Sequence, residues 1–145
     1  MEDQLLLQFI HLALSNINND KEIFEFDVPN DDEINRLFSL SGHVLTGYRR
    51  VMDSFAVRHV FKNHGNLKME SQRGQIAVLP EDFTLISNVL IQYESFNVEK
   101  NRIGNIMFRY TLNTERFRLI YAEEVRTGRR ELAVQTLYKQ KIRKP

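Results

Sequence analysis

Two histidines lie five residues apart in Phe55–Gly65, a segment that reads FAVRHVFKNHG. Histidine titrates near neutral pH, so it can serve as a general acid or a general base. Apolar residues three and four apart predict a helix with one buried face, and Gly65 predicts a left-handed C-cap. Residues five apart on a helix point about 140° apart, because one turn contains 3.6 residues. His59 and His64 can therefore face one site only if the last turn loosens.

The segment Leu132–Lys139 provides a second group of polar side chains. Thr136 and Tyr138 are two residues apart, so in a strand they project from the same face. With Arg109 from an earlier strand, two imidazoles, a cation and two hydroxyls suit cleavage of an RNA phosphodiester. One imidazole would take the 2′-OH proton, the other would protonate the leaving 5′ oxygen, and the cation would offset charge on the phosphorane. That chemistry requires no metal ion and no other cofactor.

Each of these residues also has a structural explanation. Paired histidines in a short helix are often structural or solvated, and threonine and tyrosine are common in strands without any function. Arg109 can belong to the exposed side of an alternating strand. A zinc site is disfavoured, since two ligands on one helix face would lie four residues apart and no third ligand is evident.

The composition bounds the class of protein. A chain of 145 residues with 42% hydrophobic residues predicts one domain, which buries about 68–70% of its unfolded surface. The absence of cysteine excludes disulfides, a thiolate nucleophile and cysteine-based zinc sites, and it fits a reducing compartment. Neither a basic leader nor a run of about 20 apolar residues is found, so we expect no membrane partner.

Charge is distributed unevenly, although the net charge is only +1. Acidic residues dominate positions 1–35, whereas basic residues dominate the last twenty positions. The basic groups predicted to contact RNA phosphates are Arg58, Lys62, Lys100, Arg126, Arg129, Arg130 and Lys139. The alternative is a solvated basic tail that keeps the protein soluble. The acidic N-terminal third could shield the basic cleft or dock a larger protein.

Periodicity and turn residues predict an α+β fold, in which N-terminal helices pack on a mainly antiparallel, twisted β-sheet. The predicted helices are 2–17, 33–38, 55–64 and 80–90, and the predicted strands are 22–28, 43–46, 75–78, 91–99, 105–112, 117–125 and 131–138. Residues 66–74 are expected to form a loop. We expect a single domain over residues 1–145, with a helical extension at 1–40, a core at 41–140 and a basic tail at 141–145.

Several segments, taken in order, resemble the Barnase–EndoU–Colicin–RelE (BECR) superfamily of small ribonucleases, in its phage- and mobile-element-associated branch. They are GHVLTGYRRVMD (42–53), RHVFKNHG (58–65), RGQIAV (73–78), PEDF (80–83) and TGRRELAVQTLYK (127–139). The resemblance covers about two thirds of the chain and leaves the first helix unexplained. It implies a BECR or EndoU-like fold and nuclease activity.

The EndoU-like members imply a role for each matching residue. His59 and His64 match their catalytic histidine pair, and Thr136 with Tyr138 matches a T-x-Y motif that orients the substrate. Arg109 takes the place of a lysine, and since arginine does not give up a proton near neutral pH, it would clamp the phosphate. Lys100 is the alternative for this cation. In the phage-associated branch His59 can instead be a structural residue, which would leave His64 as the main imidazole.

The resemblance thus implies a metal-independent endoribonuclease that leaves 2′,3′-cyclic phosphate ends, with tRNA as a candidate substrate. Because the superfamily is rich in toxins, it also implies an immunity or antitoxin protein as partner. The expected location is the cytoplasm, of the producing cell or of a target cell. Two alternatives stay open: a catalytically inactive module of the same fold that binds RNA or protein, and an adaptor that binds proteins through its first helix.

Overall fold

The computed structural model describes residues 3–15 and 21–142. Its helices are α1 (Asp3–Ser15), α2 (Asp31–Ser41), α3 (Ser54–His64), α4 (Leu67–Gln72), a 3₁₀-helix (Pro80–Leu85) and α5 (Ile86–Gln92). Its strands are β1 (Ile23–Asp27), β2 (Arg49–Asp53), β3 (Gln75–Ile76), β4 (Ser95–Lys100), β5 (Ile106–Asn113), β6 (Phe117–Arg126) and β7 (Glu131–Lys141). None of the helices in these ranges is long and apolar enough to cross a membrane.

The described strands form one sheet in the order β1-β2-β7-β6-β5-β4, and the short β3 pairs with the end of β7. All neighbouring strands are antiparallel except β2 and β7, which are parallel. The helix α1 packs against α3 and the 3₁₀-helix. This arrangement confirms the predicted α+β class with a mainly antiparallel sheet.

The sheet has a buried core face and a more polar site face, because successive residues of a strand point to opposite sides. Phe108, Tyr110 and Leu137 lie on the core face, within the main hydrophobic cluster. Arg109 and Thr136 lie on the site face, where both oppose residue 122 of β6. The residues that we expected to carry the chemistry therefore share one side of the sheet.

The edge of β7 is divided between two partners. Residues 131–133 pair with β2, residues 139–140 pair with β3, and helix α3 also packs against β7. The register with β6 shifts at a bulge, after which Ala122 opposes Thr136. Since bulges redirect side chains, this irregularity helps to set how Gln135 and Thr136 point toward the site face.

A buried ionic network crosses the core face. Arg50 is wholly buried, and its Nε and Nη2 lie 2.9 and 3.3 Å from the two oxygens of the buried Glu123. The hydroxyls of Tyr110 and Tyr121 also donate to Glu123, at 2.6 and 3.1 Å. Burial disfavours the charge on Arg50, but Glu123, Tyr110 and Glu33 outweigh burial and hold its pKa well above the usual value.

Two of the predicted elements are wrong, and a third, the strand 91–99, begins too early, because residues 91–92 belong to α5 and the strand is β4. Residues 43–46 are not a strand, and the strand in this region is β2, Arg49–Asp53. Its pattern was hidden because Arg50, which sequence patterns place at the surface, is buried by its ion pairs. Residues 66–74 are not wholly a loop, since six of them form α4. The predicted end of the first helix at residue 17 lies outside the described residues.

The predicted C-cap of α3 is also wrong in its conformation. Gly65 has φ −95° and ψ −5°, which is not left-handed. Glycine is required here for another reason, because an added Cβ would lie 2.6 Å from the carbonyl oxygen of Phe61. The amide of Gly65 donates to that same oxygen at 2.9 Å, so the last turn of α3 stays helical and does not loosen.

Candidate active site

Two open hollows lie on the site face of the sheet. The first hollow, of about 1150 Å³, is bordered by α3, the β4–β5 turn and the middle of β7. The second hollow, of about 490 Å³, is bordered by the start of β4, the β5–β6 turn region and the end of β7. Arg109 lines both hollows and therefore stands between them.

His64 is held from behind by a buried carboxylate. Its Nδ1 lies 3.2 Å from Oε2 of Glu70, whose side chain is fully buried. The other oxygen of Glu70 accepts a hydrogen bond from Arg73 at 2.9 Å. The two atoms lie within hydrogen-bond distance, and with a proton on Nδ1 donated to Glu70 the other ring nitrogen, Nε2, would be the one available to a substrate. An imidazole held in this way is suited to general acid or base catalysis.

Helix α4 brings Glu70 into position. The side chain of Asn66 caps this helix by accepting a hydrogen bond from the backbone amide of Met69 at 3.0 Å. Arg73, just after the helix, donates to the carbonyl oxygen of Asn63 at 2.8 Å, which ties α4 to the end of α3. The short helix thus folds back onto α3 and directs Glu70 at His64.

Tyr138 links His64 to Arg109. The imidazole of His64 stacks on the Tyr138 ring, with centroids 5.0 Å apart and planes inclined by 21°. Nη1 of Arg109 donates to the Tyr138 hydroxyl at 3.2 Å, and its Nε donates to Glu99 at 2.9 Å. His64, Tyr138 and Arg109 thereby form a continuous row, which we call the partition, between the two hollows.

His59 lies one and a half turns earlier on α3 and is exposed. Its Nε2 lies 2.9 Å from the side-chain nitrogen of Asn63, the residue one turn later. Both His59 and His64 border the first hollow, although α3 stays helical to its end. They share this site because the hollow is wide, and the expected loosening of the last turn is not needed.

Three further predicted residues line the first hollow: Thr136, Lys100 and Arg126. Nε of Arg126 donates to Glu124 at 2.7 Å. Burial raises the pKa of Glu124, but hydrogen bonds from Arg126, Asn105 and Asn101 outweigh it, so the pKa is lowered. The cationic wall of this hollow is therefore braced by a carboxylate that its neighbours keep ionised.

The other predicted RNA-binding residues lie outside both hollows. Arg58 donates to the carbonyl oxygen of Ala13 at 3.0 Å and so ties α3 to α1. Lys62, Arg129 and Arg130 are exposed and line neither hollow.

Lys139 has a different environment from the one expected. It is almost fully buried, and its ammonium lies 2.8 Å from Asp82 and over the ring of Phe117. These contacts occupy the ammonium group, so Lys139 is not one of the residues that we propose to bind RNA.

Sequence reasoning missed the two residues that hold His64 in place, Glu70 and Arg73. Both lie in the segment that we expected to be a loop, residues 66–74, and the residues around them show no apolar periodicity. One signal was present, because an asparagine followed by good helix formers, as at Asn66, is typical of a helix N-terminus.

Among residues 3–15 and 21–142, no group of three or more histidine or acidic side chains is arranged to hold a metal ion. Around the first hollow, the site presents imidazole, guanidinium, ammonium and hydroxyl groups to a substrate. These are groups that transfer protons and bind anions.

Comparison with known proteins identifies the family. The family model PBECR3, described as phage-Barnase-EndoU-ColicinE5/D-RelE like nuclease3, matches residues 17–144. The comparison with curated proteins gave no match, and neither did the comparison with solved structures. The match extends over most of the chain and includes every residue of the partition. The chain therefore belongs to this family of phage-associated, BECR-like nucleases.

Proposed function

We propose that this protein is a metal-independent endoribonuclease that cleaves RNA by transesterification, leaving a 2′,3′-cyclic phosphate. The observation that carries the proposal is the contact between His64 and the buried Glu70, at the wall of a hollow that also contains Arg109. Family membership supports a nucleic-acid substrate. RNA is favoured over DNA in this proposal because its 2′-OH is an internal nucleophile beside the scissile phosphorus that an imidazole base can activate, and DNA lacks that group.

His64 is the principal proton-transfer group in this proposal. Glu70 engages Nδ1 and the Tyr138 ring stacks on the imidazole, so that Nε2 would be the atom that serves the substrate in the first hollow, which His64 lines. In the first role open to it, Nε2 takes the proton of the ribose 2′-OH, and that oxygen then attacks the adjacent phosphorus. In the second role, the imidazolium protonates the departing 5′ oxygen. Glu70 stabilises the imidazolium in either role.

Arg109 is the phosphate clamp. Its Nε and Nη1 are held by Glu99 and Tyr138, and its side chain lines both hollows. A guanidinium fixed by two neighbours needs little reorganisation when negative charge develops on the phosphorane. Thr136, on the same wall, can donate its hydroxyl to a phosphate oxygen.

His59 is the second imidazole of the proposed mechanism. It borders the first hollow together with His64 and is exposed, so a substrate can reach it. Of the two proton transfers, His59 would perform the one that His64 does not perform. In a variant without His59, a water molecule would take over that transfer. We therefore expect His59→Ala to reduce the rate less than His64→Ala.

The test is to incubate the purified protein with total tRNA in EDTA, alongside the same assay on single-stranded DNA. The proposal predicts that RNA is cut, that DNA is not cut, and that the RNA products carry 2′,3′-cyclic phosphates. Cutting of DNA, or loss of RNA cutting on chelation, would overturn the mechanism. Salt-dependent RNA binding by a folded protein without any cutting would favour the inactive RNA-binding module instead.

A further inference from the structure

The second hollow has no role in the proton transfers described above, yet it adjoins the groups that perform them. Tyr138 and Arg109 line it, so it begins where the partition ends. His64 covers one face of the Tyr138 ring, from the side of the first hollow. A phosphate bound at Arg109 would thus have one hollow on each side.

The walls of the second hollow carry groups that suit a nucleotide. Arg118 lies on the site face of β6, and its Nε donates to Oδ1 of Asn113 at 2.9 Å. Within residues 3–15 and 21–142, its two Nη groups make no hydrogen bond. Thr111 and Gln140 add further donors and acceptors to the same walls. A volume of about 490 Å³ lies within the usual range for small-ligand sites.

We propose that the second hollow is a binding subsite for a nucleotide next to the scissile phosphate of a single-stranded RNA. The proposal rests on the proposed function and adds to it the path of the substrate across the sheet. One nucleotide would occupy the first hollow, and its neighbour would occupy the second. Arg118 would bind the next phosphate along the strand, since its Asn113 contact fixes one edge of the guanidinium and leaves the other edge free.

The tyrosine ring explains why the substrate would be single-stranded. A base in the second hollow can stack on the part of Tyr138 that His64 leaves uncovered, and such stacking is common where proteins bind unpaired nucleotides. Stacking requires that the base leave its own duplex. Paired RNA would therefore reach the partition poorly, and loops or single-stranded ends would be cut.

The test measures binding, so that it does not depend on catalysis. A fluorescent oligonucleotide with 2′-O-methyl riboses, which lacks the attacking hydroxyl, is titrated into wild type, Arg118→Ala and Arg116→Ala. Arg116 is the matched control: it is exposed in the adjacent turn, two residues away, and it lines neither hollow. Thermal unfolding of each variant verifies that the fold is retained.

We expect Arg118→Ala to weaken binding by about tenfold, as for loss of one charge-assisted contact. The dependence of log affinity on log salt concentration should become shallower by about 0.7, which is the value for one phosphate contact with a single strand. Arg116→Ala should change neither quantity. Equal losses in the two variants, or no loss in Arg118→Ala, would overturn the subsite.

The binding result and the cleavage result separate the two proposals. If RNA is not cut but Arg118→Ala selectively weakens binding, the subsite stands and the catalytic proposal fails. If RNA is cut and Arg118→Ala binds as wild type does, the catalytic proposal stands and the subsite fails. A duplex of the same sequence should bind more weakly than the single strand, and equal binding would contradict the stacking argument.

Discussion

Oε2 of Glu70 lies 3.2 Å from Nδ1 of His64, although the end of one helix and the start of another separate the two residues in the chain. Glu70 is fully buried while His64 borders an open hollow. A buried carboxylate behind an accessible imidazole fixes both the ring orientation and the position of its proton. This pair is the feature of the molecule that most favours a catalytic role over a purely structural one.

Replacement of Glu70 by glutamine tests that pair. The amide keeps the size of the side chain and an acceptor for Nδ1, but it lacks the charge that stabilises the imidazolium. We expect the cleavage rate at saturating RNA to fall by up to about 10²-fold, within the usual contribution of acid–base catalysis. Affinity for the 2′-O-methyl oligonucleotide should stay unchanged. A purely structural role would instead lower thermal stability and binding together.

Replacement of Tyr138 separates the functions of its ring and its hydroxyl. Tyr138→Phe keeps the stacking on His64 and removes the acceptor that holds Nη1 of Arg109. We expect a moderate loss of cleavage in Tyr138→Phe and a larger loss in Tyr138→Ala, which removes the stacking as well. The free energy of unfolding should fall by about 1 kcal/mol in the phenylalanine variant. Equal cleavage rates for the two variants would show that the ring has no part in positioning His64.

The core-face network predicts a stability effect that is independent of the site. Glu123→Gln leaves the buried Arg50 without its main counter-charge, which should cost about 3–5 kcal/mol in the free energy of unfolding. Denaturation of Arg50→Met, Glu123→Gln and the double variant measures the coupling between them. We expect the double variant to lose less than the sum of the single losses. Additive losses would contradict the direct pairing of the two side chains.

Glu124 predicts a pH dependence of stability. Its pKa in the folded protein lies below the usual 4.5, so its ionised form is favoured by folding. The stabilisation is complete above about pH 4.5 and is lost as the pH falls through the folded-state pKa. Glu124→Gln should therefore be less stable than wild type at neutral pH, and the difference should shrink in acid. A difference that grows on acidification would contradict the sign of the shift.

Local patterns in the sequence predicted most of the scaffold. The apolar spacing around Val57 and Val60 correctly placed helix α3, and alternation correctly placed the long strands β5, β6 and β7. These elements bury regular apolar faces, so their periodicity reports their structure directly. Strand geometry also predicted that Thr136 and Tyr138 share one face, whereas the position of Arg109 on that face became visible only from the pairing of β5, β6 and β7.

The remaining features depend on side-chain contacts that leave no periodic pattern in the sequence. Arg50 and Lys139 are charged residues buried by partners far away in the chain, Glu123 and Asp82. Glu70 is buried beside His64 and Arg73, which are only six and three residues away but belong to the end of another helix and to the residue after α4. A sequence pattern assigns such residues to the surface, because burial of a charge is favourable only when its partner is already in place. For this reason strand β2 and the orientation of His64 could not be read from the chain alone.

The central claim is that His64 is the imidazole that cuts RNA. The most direct measurement compares the single-turnover cleavage rate of wild type, His64→Ala and His11→Ala on one RNA in EDTA. His11 is exposed on α1 and lines neither hollow, so it controls for loss of an imidazole. We predict that His64→Ala lowers the rate by about 10²- to 10⁴-fold while binding persists, and that His11→Ala cuts as wild type does. Undiminished cleavage by a folded His64→Ala variant would contradict the account.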